Sequence, residues 1–521
     1  MPAHFVQPDR HSEVANAVVW PQRVRGFEGY FINPIKGHFS PFAKYTFNSL
    51  SQLSGRLQLS NSNGNLSPDS VTPVSQEFTE SDALLPRKLS GSRPKDAEGS
   101  GGHEESMCSL LRQILLPFLL AGLGTVSAGI LLEIVQGWDV FQEFTELFIL
   151  VPAVLGMKGN LEMTLAARLS TAVNAGRMDS TREKWMLIVG NLALKQLQAT
   201  VLGLLASLVV TLLDWIAEGR MPLNHLVLLC STSLCAAFMA SLLQGIVMVG
   251  VIIGSKRMGI NPDNIATLMA ACFGDLFTLA LLVCFSQWCY SLMELYPYVL
   301  YLVDLLHICL IPVWMRVASK HPESHILLRS GWEPIITAMV ISSVGRLILD
   351  KTVSDENLVG IVVYAPVING VGGNLVSIQA SRISTHLHLN YSPREIPDSH
   401  KSCFNLCHTF VGTGSNQRSA RVLLLLVLPG QLIFLHIIHL MKGGLTLPSP
   451  LFIVFFLSIS LIQVFSLLCI ADWMVHCLWQ RSKDPDSYSI PYLTALGDLL
   501  GTALLSLSFL LLWCIGDPGG V

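Results

Sequence analysis

A chain of 521 residues with 51% hydrophobic and only 13% charged side chains, and a mean hydropathy of +0.52, is too apolar for a water-soluble globular protein of this length. Its formal net charge of -3 offers no basic excess to meet a phosphate backbone, which excludes a nucleic-acid partner. The twelve cysteines follow no repeated CxxC spacing, and all but Cys108, Cys403 and Cys407 lie in or beside apolar stretches, so they read as small packing residues. Cys403, Cys407 and His408 supply too few ligands for a metal sphere.

Residues 1–109 are rich in Ser, Asn, Gly and Pro with mixed charge, cannot bury a core, and are expected to form a disordered cytosolic tail. They contain no apolar run of signal-peptide length, so membrane insertion would rest on the first spanning helix. From Leu110 onward, segments long enough to cross a bilayer recur at 110–136, 145–171, 186–213, 223–254, 264–290, 297–315, 333–350, 358–386, 420–441, 449–479 and 490–515. The expected fold class is therefore all-α, a polytopic protein embedded in a lipid bilayer with about eleven transmembrane helices. Lys and Arg gather in the even-numbered connections, from Arg177, Arg182 and Lys184 to Arg481 and Lys483, while the odd-numbered ones hold only Arg220, Lys351 and Lys442. Because basic residues mark cytoplasmic loops, the N-terminus is expected in the cytosol and the short tail 516–521 on the opposite side.

Two segments match without a gap. Pro152 to Thr171 and Pro366 to Thr385 agree at nine of twenty positions at an offset of 214. A second correspondence follows at an offset of 223, where Asn261-Pro262-Asp263 matches Asp484-Pro485-Asp486 and Gly274-Asp275-Leu276 matches Gly497-Asp498-Leu499. Spacing kept at both ends of two five-helix blocks argues for duplication. The predicted domains are a first repeat at 110–293, a connecting helix and loop at 294–330, and a second repeat at 331–515. With six crossings before the second block, both repeats sit the same way up, in a parallel pseudo-twofold arrangement about the membrane normal. The segment 297–315 then serves as a linker, within which Asp304 and His307 could satisfy each other.

Within the matched segments, Pro152, Gly156 and Gly159 interrupt one apolar run, and Pro366, Gly370, Gly372 and Gly373 the other. Such interruptions are expected to free backbone groups that line a cavity or bind an ion, with Asn160 and Asn374 adding side-chain carbonyls at equivalent places. The alternative is close helix packing by small residues. A stronger signal is Asp275 and Asp498, each inside an apolar run at matching positions. An ionisable side chain at the membrane centre costs at least about 2.5 kcal/mol and is normally retained for function. Two such carboxylates converging near an axis would repel each other unless a cation sat between them. Mg2+ fits, because it dehydrates reluctantly and is typically held by one or two carboxylates together with water. No His or Cys cluster recurs at matching places, which disfavours zinc, copper and iron. The structural alternative has each Asp bonded to a hydroxyl such as Thr278 or Thr502. Asp263 and Asp486 follow prolines at helix starts and read as N-terminal caps, with a vestibule role second.

The runs LVPAVLGMKGNLEMTLAARLST, VGVIIGSKRMGINPDN, APVINGVGGNLVSIQASRIST and IPYLTALGDLLGT carry a resemblance over roughly residues 110 to 515. The chain closely resembles the MgtE-like magnesium transporters, specifically the vertebrate solute carrier family 41. In bacterial relatives two identical five-helix subunits form a parallel dimer with an ion pore on its axis. The pore Asp of that family maps onto Asp275 and Asp498, and its Pro-to-Gly-Asn motif onto Pro152, Gly159 and Asn160 and onto Pro366, Gly373 and Asn374. The resemblance implies transport and not enzymatic catalysis, with Mg2+ as cargo, Na+ as a coupling ion for efflux, no resident cofactor, and a monomer with a pseudo-dimeric core. It also implies residence in the plasma membrane or, as for some relatives, the mitochondrial inner membrane. A conductive channel with the same residues, and a non-transporting scaffold acting through its tail, are the competing readings.

Overall fold

A chain this apolar must satisfy its backbone polar groups within each segment, and a helix does so without help from neighbours. The computed structural model describes residues 106–135, 138–144, 146–218, 223–353, 361–392, 394–395, 409–441 and 449–515. Among them are thirteen α-helices and no strand. They are α1 (Met107–Val135), the short α2 (Asp139–Glu143), α3 (Leu147–Asn174), α4 (Thr181–Glu218), α5 (Leu223–Arg257), α6 (Ala266–Leu295), α7 (Pro297–Ser319), the short α8 (Pro322–Ser330), α9 (Trp332–Val353), α10 (Ile361–Asn390), α11 (Ser415–Met441), α12 (Pro450–Gln480) and α13 (Pro485–Ile515). All the described helices form one compact unit, apart from the end of α4 from Leu213 onward. The expected tail at 1–109 falls outside the described residues save for 106–109, and Cys403, Cys407, His408 and residues 516–521 fall outside them entirely.

Each of the eleven expected spanning segments coincides with one long helix. Eight of them are long and apolar enough to cross a membrane: α1, α4, α5, α6 with the turn before it, α7, α11, α12 and α13. The chain is an integral membrane protein. The remaining three are α3, α9 and α10, and α3 and α10 carry the polar side chains Lys158, Glu162, Asn374, Gln379 and Arg382, all buried inside the bundle. A helix shielded by other helices has no need of an apolar surface all round.

Local sequence explains where these helices begin and end. Ser449 caps α12 by accepting from the Phe452 N–H at 3.1 Å, with Pro450 at the first helical position. Gly176 and Gly259 adopt φ of +73° and +69° and close α3 and α5, where Arg177 N–H donates to the Ala172 carbonyl and Ile260 N–H to the Ser255 carbonyl, each at 3.0 Å. That six-to-one bond with a left-handed residue is the Schellman stop, and glycine takes it without a Cβ clash. α12 ends the same way, but on Ser482 at φ +57°.

One pattern of packing recurs. In the first half α6 packs on α1, α3 and α5; in the second, α13 packs on α9, α10 and α12. α1 also crosses to α10 and α11, where Phe118 lies over Gly430 and Phe434 over Gly122, with ring centroids 5.6 Å apart. The largest apolar cluster accordingly mixes Leu110, Ile114 and Phe118 of α1 with Tyr364, Leu423, Phe452 and Phe509 of the second half. α7 sits at the periphery, with only 11% of its apolar window buried and Leu302, Leu305 and Leu306 exposed. Its Asp304 and His307 do not pair: Ser231 donates to Asp304 at 2.8 Å, and His307 Nδ1 bonds the Val303 carbonyl at 2.8 Å.

Candidate cation site

The last long helix of each half carries a glycine-aspartate pair. Asp275 on α6 and Asp498 on α13 are both half-buried and lie within electrostatic reach of each other. Their backbones are held alike. The buried Gln244 of α5 donates its amide to the Gly274 carbonyl at 3.0 Å, and the buried Gln463 of α12 donates to the Gly497 carbonyl at 2.9 Å. These glutamines escape an ungapped comparison, since they stand 30 and 34 residues before their glycines. Four residues is about one helical turn, so the extra turn leaves the side chain on the same face.

The helices α3 and α10 run unbroken through Pro152, Gly156 and Gly159 and through Pro366, Gly370 and Gly373, so the expected freeing of backbone groups is not observed. Each proline is the sixth residue of its helix, where it forfeits one hydrogen bond near the helix start and the remaining ladder closes around it. Of the glycines in these segments, Gly372 and Gly373 let other groups come close, whereas Gly159 has room for a methyl group. A Cβ on Gly159 would stand 4.0 Å from Asp275 Oδ1; one on Gly373 would stand 3.7 Å from Thr494, and Gly497 approaches the Gly373 backbone from α13. Gly370 meets Thr125 of α1, and Gly372 leaves the space into which Gln463 fits.

Asn160 is buried and reaches the opposite half, accepting from the Thr494 hydroxyl of α13 at 2.6 Å, one turn before Asp498. Asn374 is buried at the matching position, but the counterpart of Thr494 is Ala271, which has no hydroxyl to offer it. The hydroxyls expected beside the aspartates are engaged elsewhere. Thr278 accepts from Gln244 at 3.2 Å and from Lys158 at 3.4 Å, while Thr502 accepts from Asn369 at 2.9 Å. Asp498 instead accepts from Ser342 of α9 at 3.0 Å.

A buried ionic cluster flanks the first pair. Glu162 Oε1 meets Lys158 Nζ at 2.8 Å and Lys195 Nζ at 3.3 Å, and all three side chains are at most 4% exposed. Lys158 also bonds Gln244. At the 214 offset, the second half has Gly372 for Lys158 and Val376 for Glu162.

Asp263 and Asp486 are buried at the beginnings of α6 and α13, and their carboxylates are not the local caps. Asn261 accepts from the Asp263 N–H at 3.1 Å and Asp484 from the Asp486 N–H at 3.3 Å, because the residue two before the backbone donor is the one whose short side chain can turn back to it. Asp263 is thereby free to reach across, accepting from Ser170, from Asn174 at 2.8 Å and from Ser381 of the second half at 3.1 Å. Asp486 is buried at the matching position, with Oδ1 lacking a hydrogen-bond partner. Between the two aspartates, Thr171 and Thr385, equivalent at the 214 offset, share a hydrogen bond of 3.0 Å. Among the described residues no three His, Cys, Asp or Glu side chains gather closely enough to hold a metal ion by themselves.

A family profile described as divalent cation transporter, MgtE, matches the chain twice, over residues 151–285 and 365–508. Solute carrier family 41 member 2 of Xenopus laevis is 61% identical over 446 residues, covering 85% of this chain and 80% of that protein. Its Homo sapiens counterpart is 64% identical over 417 residues, 80% of this chain and 73% of its own length. Solute carrier family 41 member 3 of Rattus norvegicus is 46% identical over 412 residues, 79% of this chain and 89% of that protein. No solved structure matches.

Proposed function

Since the chain belongs to the MgtE family of divalent cation transporters, in its solute carrier family 41 branch, we propose that it carries Mg2+ through a pathway between its two halves, with Asp275 and Asp498 as the pair that receives the ion. One observation carries this reading: two carboxylates at matching positions on apolar helices, half-buried and within mutual electrostatic reach. Left without a cation between them they would repel each other in a medium that screens poorly. Two carboxylates suit an ion that keeps much of its water, and Asn160, Asn374 and the room in front of Gly159 would supply polar, unobstructed walls for that hydrated ion.

The arrangement that serves this reading is a pair of five-helix repeats, 110–293 and 331–515, related by a pseudo-twofold axis along the membrane normal and joined by α7 at 294–330. Repetition of the same helix pairings supports it, as does contact between the equivalent Thr171 and Thr385, because an axis brings equivalent positions face to face. Eleven crossings place the N-terminus in the cytosol and the C-terminus opposite, in the plasma membrane. Export coupled to Na+ entry is the working cycle, with the halves rocking about the axial site. Joining Thr171→Cys to Thr385→Cys by mild oxidation checks the axis: the expected product is an intramolecular disulfide, and its absence in folded protein would remove the axial arrangement.

Flux itself is tested with purified full-length protein in liposomes holding a Mg2+ indicator. Mg2+ is expected to move against an imposed Na+ gradient and to stop moving in Asp275→Ala and Asp498→Ala. Current carried by Mg2+ with no dependence on Na+ would replace the carrier with a channel.

A further inference from the structure

In the first half two buried ammoniums share one buried carboxylate. Lys158 and Lys195 both bind the same oxygen of Glu162, Oε1, while Oε2 is buried with no hydrogen-bond partner. Were Lys158 to leave, Glu162 would keep Lys195 and a second oxygen with which to hold it. Lys158 is thus the ammonium that this cluster can release. Its remaining contacts point toward the ion path: Gln244, which secures Gly274, and Thr278, which lies three residues beyond Asp275 on the same face of α6. Three residues of helix rise only about 4.5 Å. Lys158 and Asp275 lie within electrostatic reach of each other, and Gly159, the neighbour of Lys158, leaves open the space in front of the Asp275 carboxylate.

We propose that Lys158 is a tethered counter-ion for Asp275. When the axial pair is empty, its ammonium turns from Gln244 and Thr278 toward Asp275 and partly neutralises it; when the divalent ion arrives, like-charge repulsion returns it to Glu162 and Gln244. This rests on the reading of Asp275 and Asp498 as the ion-receiving pair. A lone carboxylate pair would bind a divalent cation tightly and release it slowly, and would be costly to reorient when empty. A competing internal cation weakens binding and reduces the charge of the empty carrier. Gly372 stands at the equivalent position of the second half, so Lys158 itself has no counterpart there.

The test uses full-length protein in liposomes, comparing wild type with Lys158→Met, which keeps the length of the side chain, and with Lys158→Arg, which keeps the charge. Loss of the tethered charge is expected to lower the half-saturating Mg2+ by at least about fivefold, a small part of the direct repulsion between a unit charge and a divalent ion at close range, because the ammonium withdraws to Glu162 when the ion arrives. Maximal rate falls at the same time, and Lys158→Arg restores both. A merely structural lysine would lower the rate without tightening binding, and unchanged or weakened affinity in correctly folded Lys158→Met overturns the proposal. Protection of the purified proteins against thermal unfolding by Mg2+ gives an arm that does not require transport. If wild-type liposomes carry no Mg2+, the transport reading has failed, yet stronger protection of Lys158→Met than of wild type still supports the counter-ion, and equal or weaker protection refutes it.

Discussion

The surroundings of Asp275 and Asp498 differ more than the repeat that produced them would suggest. Both follow a glycine whose carbonyl a buried glutamine holds, at 3.0 and 2.9 Å. Around that shared frame Ser342 donates to Asp498, Gly372 yields space to Gln463, and Val376 fills the position of Glu162. The first half instead surrounds its aspartate with two buried lysines and a glutamate. The two halves thus share the backbone geometry around the aspartates, while the buried lysine–glutamate cluster stands beside Asp275.

The sharpest way to break that comparison is to remove each carboxylate in turn. Asp275→Ala and Asp498→Ala are each expected to cut Mg2+ flux by at least about tenfold while the protein still reaches the membrane, because each removes half of the charge that offsets a hydrated divalent ion inside the membrane. Full flux in one variant and none in the other would mean that a single wall carries the ion.

Next in size are the glutamines. Gln244→Leu and Gln463→Leu each strip a buried carbonyl of its donor, an omission worth about 1–3 kcal/mol. Gln244→Leu is expected to reduce flux several-fold and more than Gln463→Leu does, since it also deprives Lys158 of an acceptor. Equal losses, measured by flux at saturating Mg2+, would show that the ionic cluster is indifferent to Gln244.

Much of this was legible in the residues. Hydropathy located a long helix for every expected span, the gapless match from Pro152 to Thr171 with Pro366 to Thr385 brought out the paired asparagines, and the second match at an offset of 223 the paired aspartates. What escaped did so for physical reasons. Pro152 and Pro366 stand so near their helix starts that neither ladder opens, so Gly372 and Gly373, which read as breaks, are sites of close approach. Gln244 and Gln463 were hidden by an inserted turn, which matters to alignment and not to the face of a helix. The contact of Glu162 with Lys195 joins α3 to α4 and leaves no trace in sequence spacing, whereas that with Lys158 has the ordinary i, i+4 spacing of one helix face. Asp263 and Asp486 looked like caps because caps occur at that place, although Asn261 and Asp484 already fill it.

Packing at the first helix of each half offers a smaller and purely structural contrast. A Cβ on Gly124 would lie 2.5 Å from the Cys272 carbonyl oxygen, whereas on Gly345 it would lie 3.4 Å from that of Asp498 and 3.2 Å from the Leu499 Cα. Backbone cannot yield as a flexible side chain does, so Gly124→Ala is expected to cost about 1–3 kcal/mol. Gly345→Ala should cost less, and Gly254→Ala, which meets nothing within 4 Å, should be neutral or stabilising by up to about 1 kcal/mol through helix propensity. Thermal unfolding in detergent orders the three; a harmless Gly124→Ala would mean that α1 and α6 are held less closely than described.

The smallest expected effect lies where α5 and α12 stop. Gly259 and Ser482, equivalent at the 223 offset, both take left-handed φ, +69° and +57°. A residue with a Cβ pays about 1–2 kcal/mol for that conformation, so Gly259→Ala should destabilise by about that much. Ser482→Gly removes the strain but also the hydroxyl that accepts from Arg394 Nε at 3.0 Å. A hydrogen bond to a charged donor is worth about 1.5–3 kcal/mol when buried and less where water competes. The two contributions oppose each other, and Ser482→Gly is expected to change stability by under about 1 kcal/mol. Combining it with Arg394→Ala decides between them: once the guanidinium is gone only the relief of strain remains, and Ser482→Gly should then stabilise. Continued neutrality in that background would show that Ser482 is held in its turn without strain, and that glycine at 259 is there for some reason other than backbone freedom.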